Sequence, residues 1–173
     1  MTPSTLVPFT PHSPWFHQVA QLLHTTWSFN YADTAAAATK ISRHAEYPGF
    51  QGIAVLDGTQ VVGLNYGYTN LPGQWWYDQI ARVVGARVAQ RQLYEAFAFT
   101  ELAVAPQWRG QGIATRLHNA LLAGLPHQRA VLSTQLWNMP ARALYNRLGW
   151  QPLVHHMRFQ SVGEEFTILE RVL

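Results

Sequence analysis

Apolar positions recur along this chain with two periods, one helical and one alternating, and their succession predicts the order of elements. Thr5 to Phe9 reads as a short strand. Residues 14–27 carry Phe16, Val19, Ala20, Leu23 and Trp27 at helical spacing. Asp33 has the character of an N-cap for a second helix that runs to about Ala45 and stops near Pro48. Residues 52–56 and 60–68 read as strands joined at Asp57-Gly58, a favoured hairpin turn. Residues 69–75 form a loop, and 76–85 and 86–93 read as helical pieces or an irregular excursion. Residues 95–105 are a long apolar strand, and 113–122 a helix with Ile113, Leu117, Ala120 and Leu121 on one face. A strand at 129–136 and a short helix after Asn138 follow. The chain closes with strands at 151–160 and 165–172, joined near Ser161, Val162 and Gly163.

The stretch from Pro106 to His127 is long enough for a helical crossover between parallel strands. The pairs near 52–68 and 151–172 have the lengths of antiparallel hairpins. The expected fold class is therefore α/β, with a mixed, mostly antiparallel sheet of six or seven strands and helices on both faces. A chain of 173 residues suits a single domain over 1–173.

Composition narrows the partners. A formal charge of +3, scattered and nearly all arginine, gives no stripe for nucleic acid. The absence of cysteine excludes disulfides and thiol chemistry. No run approaches the length of a membrane span. The first residues lack the basic and apolar segments of a secretory signal, so a cytoplasmic protein is expected. His155 and His156 are adjacent on a strand and are expected to face opposite ways. His12, His17 and His24 lack i, i+4 spacing, so no metal site is expected.

Two segments carry chemistry. Arg109-Gly-Gln-Gly-Ile-Ala114 lies between a strand and a helix. Such a turn leaves backbone N–H groups unpaired at the positive end of a helix, a binding place for phosphate oxygens. A P-loop would need Gly-Lys-Ser/Thr, and the chain's only lysine is Lys40. A dinucleotide fingerprint would need a third glycine where Thr115 stands. The second segment, Asn138 to Trp150, is a helix with an N-cap at Asn138, Pro140 in its first turn and Gly149 at its end. Ala141, Leu144, Tyr145 and Leu148 share one face of it.

Together these segments resemble the GNAT superfamily of N-acetyltransferases. The family's acetyl-coenzyme A signature, Arg/Gln-x-x-Gly-x-Gly/Ala, reads here as Arg109-x-x-Gly112-x-Ala114. Its later segment, Asn-x-x-Ala-x-x-Leu-Tyr-x-x-Leu-Gly-aromatic, reads without a gap from Asn138 to Trp150. The close match covers about residues 97–152. The resemblance implies a central parallel strand pair that splays apart, with the cofactor's arm between the strands. Arg109, Gly110, Gln111, Gly112, Ile113 and Ala114 would hold the diphosphate of acetyl-coenzyme A. Leu102, Ala103 and Val104 would pair with the pantetheine arm, which Asn138, Ala141 and Tyr145 would line. The family tyrosine matched by Tyr145 protonates the departing thiolate.

Acetyl transfer also needs a base, because an alkyl ammonium loses its proton only near pH 10. Glu101, read as the end of an apolar strand, is a candidate acting through water; a glutamate held there by an arginine or a backbone N–H is the other reading. Glu95 and Asp78 are in reserve. Two aromatic groups, Trp27, Phe29 and Tyr31, and the loop residues Trp75, Trp76 and Tyr77, are candidates to wall an acceptor site together with Tyr66. Burial of the second group against the sheet or a subunit is the alternative. The expected acceptor is a small-molecule amine, and a homodimer is possible in folds of this type. The rivals are a non-catalytic acyl-coenzyme A binding or sensing module, and an interaction domain using the Trp75–Tyr77 patch.

Overall fold

The computed structural model describes residues 4–160 and 162–173, and Ser161, where the last hairpin was expected to turn, lies outside them. Among these residues seven strands hydrogen-bond as a mixed sheet, in the order first, second, third, fourth, fifth, seventh, sixth along the chain. The chain sorts into two compact units, one of residues 4–68 and 100–125, the other of 69–99 and 126–173.

The first unit begins with β1 (Thr5–Pro8), α1 (Phe16–Thr26) and α2 (Thr34–Ala45). The Asp33 side chain accepts from the Ala36 amide at 2.8 Å, the N-cap that the sequence called for. β2 (Gln51–Asp57) pairs antiparallel with β1 and with β3 (Gln60–Thr69), turning at Gly58. Val19, Leu23, Ile41, Leu64, Tyr66 and Ala103 pack on one another in the core. Val55, Val62 and Val104 pack with Ile113 and Leu117 of α5 (Ile113–Leu122). Gly63 permits that contact: a Cβ there would stand 3.0 Å from Leu117 Cδ1 and 3.1 Å from Ile113 Cγ2.

β4 spans Phe97–Val104, and its half from Thr100 onward belongs to this unit. Glu101 therefore sits inside the strand, not at its end as the sequence suggested. Glu95 does not join β4 at all. It adopts φ 55°, a left-handed backbone that interrupts any strand, and its amide donates to the Asn70 carbonyl.

The second unit holds α3 (Trp75–Val84), α4 (Ala86–Gln92), the start of β4, β5 (Arg129–Gln135), α6 (Met139–Arg147), β6 (Gln151–Arg158) and β7 (Glu165–Val172). β4 and β5 are parallel, in register at Phe97↔Ala130 and Ala98↔Val131. This is the parallel pair expected at the centre of the sheet. β5 and β7 are antiparallel along all seven residues of β5. Ile80, Leu93, Val131, Met157 and Ile168 form the core.

Two readings change here. Trp75, Trp76 and Tyr77 are the first turn of α3, so the helical reading from 76 holds, the helix starts one residue earlier, and the aromatic group is not in a loop. Gln74 ends the loop by closing it on itself: its side chain accepts from the Leu71 amide and donates to the Thr69 carbonyl. In β6, Val154 pairs with Ile168 and Met157 with Phe166, so three steps match two. That bulge cancels the alternation. His155 and His156 are both exposed and line the same cavity of about 350 Å³ beside Trp150, Arg142 and Met139.

Candidate functional site

In the first unit, β4 leads through a short 3-10 turn, Pro106–Trp108, into the glycine segment and then α5. Gly110 and Gly112 adopt φ 73° and 77°, a region where other side chains are strained. A Cβ at either glycine would meet no atom within 4 Å, so the space beside the backbone is open. Among the described residues, the amides of Gly110, Gln111, Gly112, Ile113 and Ala114 donate to no protein acceptor. Gly112 is the N-cap of α5 and supplies no capping side chain. A row of free donors thus meets the positive end of a helix, which fits a diphosphate. Arg109 is anchored there by its Nε, which donates to the Val104 carbonyl at 3.0 Å. The rest of its guanidinium is left for an anion.

Four residues back along β4 from Ala105, Glu101 enters a polar triangle. Its Oε1 accepts from the Tyr31 hydroxyl and from Lys40 Nζ, each at 2.7 Å, and Nζ also donates to the Tyr31 oxygen at 2.7 Å. The Glu101 side chain is 13% exposed and that of Lys40 31%, so the pair opens to solvent on the lysine side. Lys40 Nζ also stands 5.1 Å from the Tyr31 ring centroid. Burial first, and the Glu101 charge second, push the Tyr31 hydroxyl far up, so it stays a neutral phenol. Glu101 is thus held by a lysine and a phenol, neither the arginine nor the backbone N–H considered from sequence.

Behind the triangle, aromatic rings close the site. Tyr66 has no exposed surface, and its hydroxyl lies 3.1 Å from His44 Nδ1. The His44 ring packs against Tyr47, Tyr66 and Tyr68 at centroid distances of 5.8, 5.8 and 5.0 Å. Burial, aided by the positive charges of Lys40 and Arg43, lowers His44 to about 3 and keeps it neutral. Burial also raises the Tyr66 and Tyr68 hydroxyls. Trp27 and Phe29 meet edge to face at 5.7 Å, with Phe29 56% exposed.

Lys40 and His44 are the polar residues that sequence reasoning missed. A usable signal existed. On α2, Lys40 lies one turn from His44 and beside Ala37 and Ile41, so it borders the buried face of the helix. A sole lysine at that border needs a partner.

In the second unit, the Asn138 side chain accepts from the Ala141 amide at 3.2 Å, fixing the start of α6. Tyr145 is buried on that helix, edge to face with Phe99 at 6.0 Å and near Trp150 at 5.9 Å. Its ring is therefore held in one orientation. Of the α3 aromatics, Tyr77 is buried in the core. Trp76 donates from Nε1 to Ser133 Oγ at 3.1 Å. Trp75 is half exposed and leans on Phe159 at 5.3 Å. Asp78 accepts from the Gly73 amide. Among the described residues no group of three potential metal ligands occurs, and no helix is long and apolar enough to cross a membrane.

Known proteins resemble this chain in sequence and in fold. The sequence pattern of the acetyltransferase (GNAT) family matches residues 16–150. A GCN5-like protein acetyltransferase of Mycobacterium tuberculosis is 31% identical over 150 residues, covering 82% of this chain and 73% of that protein. An acetyltransferase from Thermus thermophilus shares the fold with a TM-score of 0.68 at 16% identity, covering 98% and 97% of the two chains. An aminoglycoside 6'-N-acetyltransferase complexed with coenzyme A does so with a TM-score of 0.67 at 17% identity, covering 97% and 96%.

Proposed function

Because the chain belongs to the acetyltransferase (GNAT) family, whose members draw on acetyl-coenzyme A, we propose that it transfers an acetyl group to the nitrogen of a small primary amine. The observation that carries this reading is the row of free amides from Gly110 to Ala114, beside glycines that leave the backbone open. These amides and Arg109 hold the diphosphate. Leu102, Ala103 and Val104 give the extended arm a strand to pair with. Asn138 and Ala141 start the helix that presents Tyr145.

The thioester supplies an activated acetyl group. The protein's own part is to manage protons and position. Glu101 takes the ammonium proton of the acceptor, through water, once the acceptor displaces Lys40. Tyr145, held between Phe99 and Trp150, returns a proton to the departing sulfur. Trp27 and Phe29 of the first unit are proposed to wall the acceptor; Trp75 and Trp76 are, by themselves, the accessible members of the second aromatic group. Tyr66 and Tyr77 are too buried to touch the acceptor.

The test is calorimetric titration with acetyl-coenzyme A, followed by a thiol-release assay over a panel of amines. Wild-type protein is expected to bind the cofactor and to release thiol only with an acceptor. Gly112→Trp, which fills the open turn, is expected to weaken cofactor binding at least a hundredfold. Unchanged affinity in that variant would refute the placement of the diphosphate. Binding without any turnover would leave the non-catalytic sensing module as the better reading. A protein acceptor is a second reading, favoured by the mycobacterial relative being named a protein acetyltransferase; lysine-bearing peptides in the same panel separate the two.

A further inference from the structure

We propose that the acceptor is a zwitterion, an amine with a carboxylate within a carbon or two of its nitrogen, and that Lys40 reads the carboxylate. The proposal rests on the acetyl-transfer reading and on Glu101 receiving the amine. Its foundation is the charge balance of the triangle. Lys40 and Glu101 are one cation and one anion in direct contact, and Tyr31, which links them, is a neutral phenol. His44, the other titratable group on this side of α2, is a neutral imidazole packed among tyrosine rings. Arg43 is exposed.

An ammonium arriving at Glu101 must displace Lys40 or share the carboxylate with it. A simple amine would then leave two cations against one half-buried anion, with Lys40 stripped of its partner. Removing one partner from a buried pair is the costly case. A zwitterion avoids it by exchange of partners: its ammonium takes Glu101 and its carboxylate takes Lys40. The hydrogen-bonding capacity is present. Lys40 Nζ has three donors and uses two, on Tyr31 and Glu101. Glu101 Oε2 accepts from no other described residue, since all three bonds of the triangle use Oε1 or the phenol. The lysine end is the more exposed, so a carboxylate reaches it from solvent.

Spacing narrows the class. Nζ and Oε1 are 2.7 Å apart, so the two charges of the acceptor must also lie close together. An α-amino or β-amino acid satisfies this. A long ω-amino acid satisfies it only by folding back on itself. Tyr31 belongs to the apolar cluster that Trp27 packs against, and Trp27 in turn meets Phe29 edge to face, so the acceptor's side chain has aromatic rings on this side of the unit.

In the reaction so assigned, the amine nitrogen bonds to the acetyl carbon and the C–S bond breaks. One ammonium proton passes through water to Glu101 beforehand and is later released to solvent; the second leaves the nitrogen as the amide forms and replaces the proton that Tyr145 gives to the sulfur, so coenzyme A leaves as the thiol. The product is an N-acetyl amino acid, which has lost its positive charge and so its hold on Glu101. Lys40 then returns to its partner and the product is released as an anion.

The experiment compares, by thiol release, a set of α-amino acids with their carboxamides and their decarboxylated amines. In the wild type, kcat/KM for the preferred amino acid is expected to exceed that of its amide and its amine by about tenfold or more. In Lys40→Met that ratio is expected to fall to about one. Lys40→Arg should keep it, and calorimetry with acetyl-coenzyme A shows that both variants are folded and load the cofactor. An amide or amine used as well as its parent acid by the wild type overturns the proposal. So does a ratio unmoved by Lys40→Met, or turnover of amines or peptides with no turnover of any amino acid. Failure of the wild type to bind acetyl-coenzyme A overturns instead the reading on which the proposal rests.

Discussion

His44 makes stability depend on pH in a way that can be worked out beforehand. In the folded chain its imidazole is lowered to about 3 from an ordinary 6.5, chiefly by burial. The unfolded chain therefore takes up a proton on this residue well before the folded chain does. The folded form keeps its full stability above pH 6.5 and loses it as pH falls from there toward 3. At pH 5 the unfolded state gains about 2 kcal/mol from protonating this one group. In a chain of this size that is about 4–8 °C in Tm. The assay is urea denaturation at pH 7.5 and pH 5 of the wild type and of His44→Gln. Glutamine cannot titrate yet can still accept from the Tyr66 hydroxyl. Carboxylates and the other histidines contribute to both proteins alike. The drop in unfolding free energy between the two pH values is expected to be smaller in the variant by about 2 kcal/mol. Equal drops would show that His44 is hydrated or protonated in the folded state, and the reasoning from burial would fail.

Two further outcomes are expected. Tyr145→Phe should lower kcat by a factor of about a hundred or more while leaving acetyl-coenzyme A affinity within twofold of wild type, as removal of a general acid does; an unchanged kcat takes Tyr145 out of the reaction. Gly52→Ala should destabilise the fold by about 1–3 kcal/mol, because its Cβ would lie 2.7 Å from Cζ of the buried Phe9 ring. An unmoved urea midpoint would mean that the ring shifts freely.

What could be read from the sequence was local. The cap at Asp33, the cap at Asn138, the turn at Gly58 and the glycine segment before α5 are each set by residues within a few positions of one another. The mixed sheet followed from the same local periods plus one crossover length. What could not be read was set at a distance. Glu101 and Lys40 are 61 positions apart, and no local pattern announces their contact. Glu101 looked terminal because it heads the apolar run Leu102 to Ala105, yet Phe97 to Thr100 precede it in the same strand. The two histidines on β6 were assigned opposite faces by an alternation that a bulge interrupts. The start of α3 was misplaced because tryptophan and tyrosine have weak helix propensity, whereas Gln74 ties off the preceding loop through two backbone bonds.

One practical result comes from the scarcity of lysine. Apart from the chain's α-amine, the ammonium of Lys40 is the sole primary amine in these 173 residues. Reagents such as activated esters, normally useless for mapping because they mark a whole surface, would here attach a reporter to only two places, the α-amine and this corner. Protection of Lys40 from the reagent by a bound molecule would then reveal occupancy of the corner directly, without any need to observe turnover.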